Sequence, residues 1–187
     1  MIVGPVMIKK MLPTLAAGLA LAGSASVTPA NAQDAGQFIK SAEHGQCLTV
    51  EGSGFVNTIT GHAQPYGVTT RPCTEGHKTW QTWNVDTTTR RIRPAAYPDK
   101  CLQVVPDGRF LYLQTLPCDP DNTTQDFTFQ NSQFRGEPLL RSGHTIEDHT
   151  DDVYVGAYRK EDAGTPIGVH DIVGPSSPNE RWKLTTA

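Results

Sequence analysis

The sequence predicts an all-β fold built from three diverged copies of one unit of about fifty residues, gathered around a common axis and stapled by two disulfides. Three observations predict it. A set of short motifs recurs at that period, four cysteines accompany the first two copies of the set, and the chain between the motifs is cut into short runs with few helix-period stretches. With 17 Gly and 14 Pro in 187 residues, breaks are frequent enough to favour many short strands over long helices.

In the first copy, Gln37-Phe38-Ile39-Lys40-Ser41 leads to Gln46-Cys47-Leu48-Thr49-Val50. In the second, Arg91-Ile92-Arg93-Pro94 leads to Lys100-Cys101-Leu102-Gln103-Val104. Both then reach Pro-Cys (Pro72-Cys73, Pro117-Cys118) and Gln-x-aromatic (Gln81-Thr82-Trp83, Gln125-Asp126-Phe127), and close in an alternating strand. The third copy has no cysteines. Pro138-Leu139-Leu140-Arg141-Ser142 matches the opening strand, Asp152-Val153-Tyr154-Val155 is expected in the place of Cys-Leu-x-Val, and Asn179-Glu180-Arg181-Trp182-Lys183-Leu184 matches the close. The copies are expected to run over about 36–86, 87–131 and 132–187. One such unit cannot bury its apolar face alone, whereas three around an axis share a core and remove exposed edges. Trp83, Phe127 and Trp182 stand at one repeated position and are expected to anchor that core. Trp80 is expected to be a partly exposed packing residue.

Lys9 and Lys10, the apolar run from Met11 to Ala25 and the small residues Ala30-Asn31-Ala32 read as a secretory signal, with cleavage after Ala32. The run is short for a membrane span and is broken by Pro13 and several Gly. The remaining 155 residues make one domain, 33–187, secreted or periplasmic. They carry 14 basic and 19 acidic residues, a net charge of −5 that argues against nucleic acid or an anionic membrane as the main partner. No second long apolar run follows, so no membrane insertion is expected. Four cysteines after such a signal read as two disulfides. Three pairings are possible, and sequence order favours Cys47–Cys73 with Cys101–Cys118.

Cys-Leu-x-Val, then Pro-Cys, then Gln-x-aromatic, repeated, resembles the ricin-B-type β-trefoil lectins over nearly all of 33–187. The second copy, from Cys101 through Cys118, tracks the family pattern for its whole length. The resemblance implies a β-trefoil, cysteine pairs within single repeats, and carbohydrate binding without catalysis. It also implies sites made from an Asp just before the Val of the first motif, an aromatic ring before Pro-Cys, and an Asn or Gln near Gln-x-Trp. A carboxylate and an amide suit vicinal hydroxyls, and a ring covers the apolar face of a sugar. In the first repeat Thr49 holds the Asp position and Arg71 the ring position. In the second, Gln103 and Leu116 hold them, with Gln114 and Gln125 retained. The third is expected to keep the site, through Asp152, His170 and Asn179 with Glu180 in support. A second reading follows the accessory subunits of cytolethal distending toxins, trefoils of this kind with degraded sugar sites that serve a toxin partner subunit. Secreted trefoil protease inhibitors, which use one exposed loop, are a third comparison. The segment from Gly52 to Gly67 would be that loop, and nothing in it is diagnostic.

Other motifs carry less. His144, Glu147, Asp148, His149, Asp151 and Asp152 contain metal-ligating groups but no ordered zinc or calcium spacing, so a solvated loop is expected and no metal. Gly52-Ser53-Gly54 lacks a nucleophile elbow, and there is no phosphate loop or dinucleotide fingerprint, so neither enzyme nor cofactor is expected. Asn122-Thr123-Thr124 is an N-glycosylation sequon.

Overall fold

A computed structural model describes residues 36–187 except 59, 75–77, 108–109, 132–137, 144–152, 158–167 and 172–179; for 107, 110, 131 and 168–171 it describes the backbone alone. The expected signal segment, 1–32, lies outside the described residues. The described residues fall within one compact unit, Ala32–Ala187.

Each copy supplies four strands. They are β1 (Gln37–Ser41), β2 (Gln46–Val50), β3 (Val68–Pro72) and β4 (Thr82–Asp86) in the first. The second gives β5 (Arg91–Pro94), β6 (Lys100–Asp107), β7 (Phe110–Pro117) and β8 (Phe127–Asn131). The third gives β9 (Pro138–Ser142), β10 (Val153–Gly156), β11 (Gly168–Asp171) and β12 (Trp182–Thr186). A one-turn helix, α1 (Lys78–Gln81), precedes β4, and a 3-10 turn, Thr123–Gln125, stands in the same place before β8.

The first and fourth strands of the copies join into a closed ring. β1 pairs with β4 through Gln37↔Trp83 and Phe38↔Thr82, and β4 pairs with β5 from Trp83↔Pro94 to Asp86↔Arg91. Between β5 and β8 the Phe127 N–H donates to the Arg90 carbonyl at 2.8 Å. β8 pairs with β9 over five residues, Leu139 bridges to Arg181 at β12, and β12 pairs with β1 from Gln37↔Thr186 to Ser41↔Trp182. The middle strands form three antiparallel hairpins, β2–β3, β6–β7 and β10–β11. Closure leaves no long unpaired edge on the ring, the expected solution for units that cannot bury their own faces. This is a β-trefoil.

The core repeats with the strands. Ile39, Ile92 and Leu140 come from the opening strands, Leu48, Leu102 and Val155 from the second strands, and Val50, Val104 and Ala157 follow two residues on. Trp83, Phe127 and Trp182 complete the set, all buried in one cluster. Each fully buried aliphatic side chain of this kind contributes roughly 1.5–3 kcal/mol against exposure. The two tryptophans also donate inward: Trp83 Nε1 to the Leu48 carbonyl at 2.9 Å and Trp182 Nε1 to the Val155 carbonyl at 2.8 Å. A buried indole N–H needs such a partner, so each ring also fixes the hairpin below it. Trp80 is half-buried and meets Tyr97 edge-on at 5.6 Å.

Hairpins of neighbouring copies are also joined. Tyr66, at φ 61°, turns its carbonyl toward β7, where it accepts from Thr115 N at 2.9 Å and Thr115 Oγ1 at 3.2 Å. Gln114 Nε2 donates to the Pro65 carbonyl at 2.6 Å. β7 in turn pairs with β11 through Gly168↔Tyr112 and Val169↔Leu111.

The disulfides are Cys47–Cys73 and Cys101–Cys118, spanning 26 and 17 positions. Each ties the second strand of a copy to the residue just past its third. Replacing both Cys47 and Cys73 by serine is expected to lower the unfolding free energy by roughly 3–4 kcal/mol on the chain-entropy estimate. Urea titration of the oxidised wild type against the double variant measures it. A midpoint that does not move would mean that the bridge adds nothing to stability.

Candidate functional site

Above each of the first two hairpins the Gln-x-aromatic glutamine makes a buried bracket. Gln81 Nε2 donates to Thr49 Oγ1 at 3.1 Å and to the Pro72 carbonyl at 2.9 Å, while its Oε1 accepts from Thr74 N at 3.0 Å. Gln125 repeats the pattern: Nε2 to Gln103 Oε1 and to the Pro117 carbonyl, both at 2.9 Å, and Oε1 from Asp119 N at 2.9 Å. Both amides are buried with donor and acceptor satisfied, so they hold the third residue of Cys-Leu-x-Val and the Pro-Cys turn in one geometry. Gln125 is therefore a strut, its polar atoms committed inside the protein.

The bracket recurs at the Gln-x-aromatic position of two repeats, each with its cysteine bridge, and residues 39–138 match the model of the ricin-type β-trefoil lectin domain. The chain belongs to that family. No curated protein matches it in sequence. Among solved structures, the β-trefoil lectin of the Vibrio vulnificus hemolysin/cytolysin, with N-acetyl-D-lactosamine bound, is 19% identical at a TM-score of 0.57, over 81% of this chain and 94% of that one. The C-half of the earthworm R-type lectin in complex with GalNAc is 17% identical at a TM-score of 0.51, over 81% and 98%. The cytolethal distending toxin from Actinobacillus actinomycetemcomitans is 13% identical at a TM-score of 0.57, over 82% and 92%. At these identities the likeness is one of fold.

Strand register places the ricin-type positions in all three repeats. Cys47 pairs with Arg71, Cys101 with Leu116 and Tyr154 with His170. Lys40 pairs with Cys47 as Arg141 pairs with Tyr154, and the Trp182 bond to Val155 repeats that of Trp83 to Leu48. Two independent contacts therefore align Tyr154 with Cys47, and the hairpin pairing carries that alignment to His170. His170 accordingly stands at the ring position, beside its counterparts Arg71 and Leu116.

The same register gives the Asp position of the third repeat to Gly156, opposite Gly168 as Thr49 is opposite Thr69. This corrects the register in which Asp152 took that position. Asp152-Val153 imitates the x-Val pair of the motif, but cross-strand pairing sets Val153 opposite Asp171 and moves the motif toward the C-terminus. Asp152 and Asn179 lie outside the described residues, as does the acidic and histidine cluster 144–152. Glu180 is buried, at the position of Gln81 and Gln125, with Asn179 immediately before it in sequence. Among the described residues no group of three or more His, Cys, Asp or Glu is placed to hold a metal.

A polar pair in the first repeat is not apparent from the sequence. Glu51, two residues past Thr49, lies on the same face of the first hairpin, where its Oε1 accepts from Thr69 Oγ1 at 2.5 Å and from Arg71 Nε at 2.7 Å. The hydrogen bond from Arg71 to Glu51 and the charge of Glu51 raise the guanidinium pKa above its ordinary value, against the opposing pull of burial. The alternation of a strand is the signal that could have found it, since residues two apart share a face.

Proposed function

We propose that the chain is a secreted or periplasmic carbohydrate-binding protein, residues 33–187 forming the binding domain once 1–32 are removed as a signal peptide, and that it binds without catalysing. Membership in a lectin family supports the binding reading. Relatives in fold hold N-acetyl-D-lactosamine and GalNAc. The sugar site of this reading lies in the third repeat, at His170 and Asn179, with the buried Glu180 in support. The observation that carries it is the register of His170. A residue with a flat ring stands at the position where the family covers a sugar face, while the other two repeats carry Arg71 and Leu116 there. The likeness in fold to the cytolethal distending toxin supports a second reading, a non-catalytic interaction or toxin-delivery subunit in which the same fold, its sugar sites degraded, serves a toxin partner subunit.

A glycan array of the oxidised 33–187 protein, with and without calcium, tests this beside His170→Ala and Asn179→Ala. Wild type is expected to retain a defined glycan, and His170→Ala or Asn179→Ala to lose it by about tenfold or more in affinity, the scale of one stacking or hydrogen-bonding group. Retention unchanged in both variants would move the site out of the third repeat. A folded wild type that retains no glycan would overturn the lectin reading and favour a protein partner.

A further inference from the structure

The first repeat, which lacks both the family Asp and the family ring, carries a different polar arrangement in their place. Glu51 and Arg71 form an ion pair across the β2–β3 hairpin, and the two ends of the pair are unequally exposed: 41% for the Arg71 side chain and 14% for that of Glu51. Thr69 and Arg71 both donate to Glu51 Oε1, so that oxygen is committed within the hairpin. Arg71 spends its Nε on that bond. Its two terminal amino groups make no hydrogen bond to the described residues, and the side chain is partly exposed.

This arrangement has consequences for recognition. A guanidinium is planar, so a hydrogen bond at Nε fixes the plane in which the terminal N–H groups point. Those groups make a fork that matches the two oxygens of a carboxylate. Holding the fork in advance removes the rotamer cost that a free arginine would meet on binding. The bracket below is rigid as well, because Gln81 ties Thr49, beside Thr69 in register, to the Pro72 carbonyl. The second repeat offers nothing comparable, with Val105 and Leu116 at the corresponding register positions.

We infer that the hairpin of the first repeat is a second carbohydrate subsite, specific for sugars that carry a carboxylate, with Arg71 as the residue that receives the acid group and Glu51 and Thr69 as the residues that position it. The inference rests on the lectin reading and adds a ligand class to it. The net charge of 33–187 is negative, so recognition comes from the directed fork and not from bulk attraction of anions.

The test is a titration of the oxidised protein, followed by calorimetry and by the NMR signals of the arginine side chains, with three probes: lactose, sialyllactose and methyl β-D-glucuronide. Sialyllactose or the glucuronide is expected to bind wild type with a shift of the Arg71 Nε–H signal, and Arg71→Gln to weaken that binding about tenfold, as expected for one charge-assisted contact. Acidic probes that bind Arg71→Gln as well as wild type would overturn the subsite. Binding of lactose alone, lost in His170→Ala, would overturn the subsite while upholding the lectin reading. No binding of any probe by a folded protein would remove both.

Discussion

Trp83→Ala is expected to lower the unfolding free energy by about 3–5 kcal/mol, the range for removing a large aromatic from a packed core. Trp83 is fully buried, lies in the shared cluster, and donates to the Leu48 carbonyl from inside it. The truncation leaves a cavity and an orphaned carbonyl together, and the two costs add. Trp83→Phe separates them. It copies Phe127, which fills the matching position of the second repeat without an indole donor, and is expected to cost about 1–3 kcal/mol, chiefly for the unmade hydrogen bond. Urea midpoints of the three proteins decide between the two causes. Equal losses in the two variants would show that the hydrogen bond, and not the volume of the ring, dominates at this position.

Asp126→Ala is expected to cost a comparable amount, about 3–5 kcal/mol, because it strands a buried cation. Arg91 and Asp126 are both buried and paired, Arg90 reaches the second oxygen of Asp126, and the Arg91 guanidinium also donates to the Asp119 and Pro120 carbonyls at 3.0 and 2.9 Å. Burial and the neighbouring Arg90 push the Arg91 pKa below its ordinary value, yet an arginine stays charged at any working pH. Symmetry supplies the control. The ring register makes Phe38 with Thr82 and Leu139 with Arg181 the counterparts of this pair. The double variant Arg91→Leu, Asp126→Thr is therefore expected to recover most of the loss, since replacing both partners by groups that pack avoids the uncompensated charge. A double variant no more stable than Asp126→Ala would show that the pair holds the joint between copies by itself.

Much of this fold was legible from spacing. The cysteines and Gln-x-aromatic defined the first two repeats because each motif serves a single structural purpose, as a bridge, a bracket or a core ring. The third repeat was legible at its ends, where Leu140 and Trp182 keep their places in the core, and misleading in its middle. Without cysteines there was no anchor inside the strand, and Asp152-Val153 offered a false one. The pairing of Arg141 with Tyr154 and of Tyr154 with His170, with the Trp182 bond to Val155, sets the register, and such contacts are long-range properties that no window of sequence contains. Glu51 and Arg71 were hidden for the same reason. They stand twenty positions apart and meet only because β2 and β3 pair. Trp80, by contrast, lies as its neighbours suggested, because its environment is set by the local turn before β4.

The ring closes where β12 lies along β1, with Gln37 opposite Thr186 and the Ala187 N–H on the Gly36 carbonyl at 3.2 Å. A ribosome delivers β12 long after β1. Until β12 has emerged, β1 lacks one neighbour and the barrel stays open, whatever the earlier strands have done. The two disulfides, each confined to a single repeat, do not have to wait for that event. Oxidation can therefore secure individual hairpins while the molecule is still open, leaving a long-range closure that waits for β12. The same adjacency means that a short linker joining residues 36 and 187 would permit new termini to be cut in a surface turn, giving a circular permutant with the barrel intact.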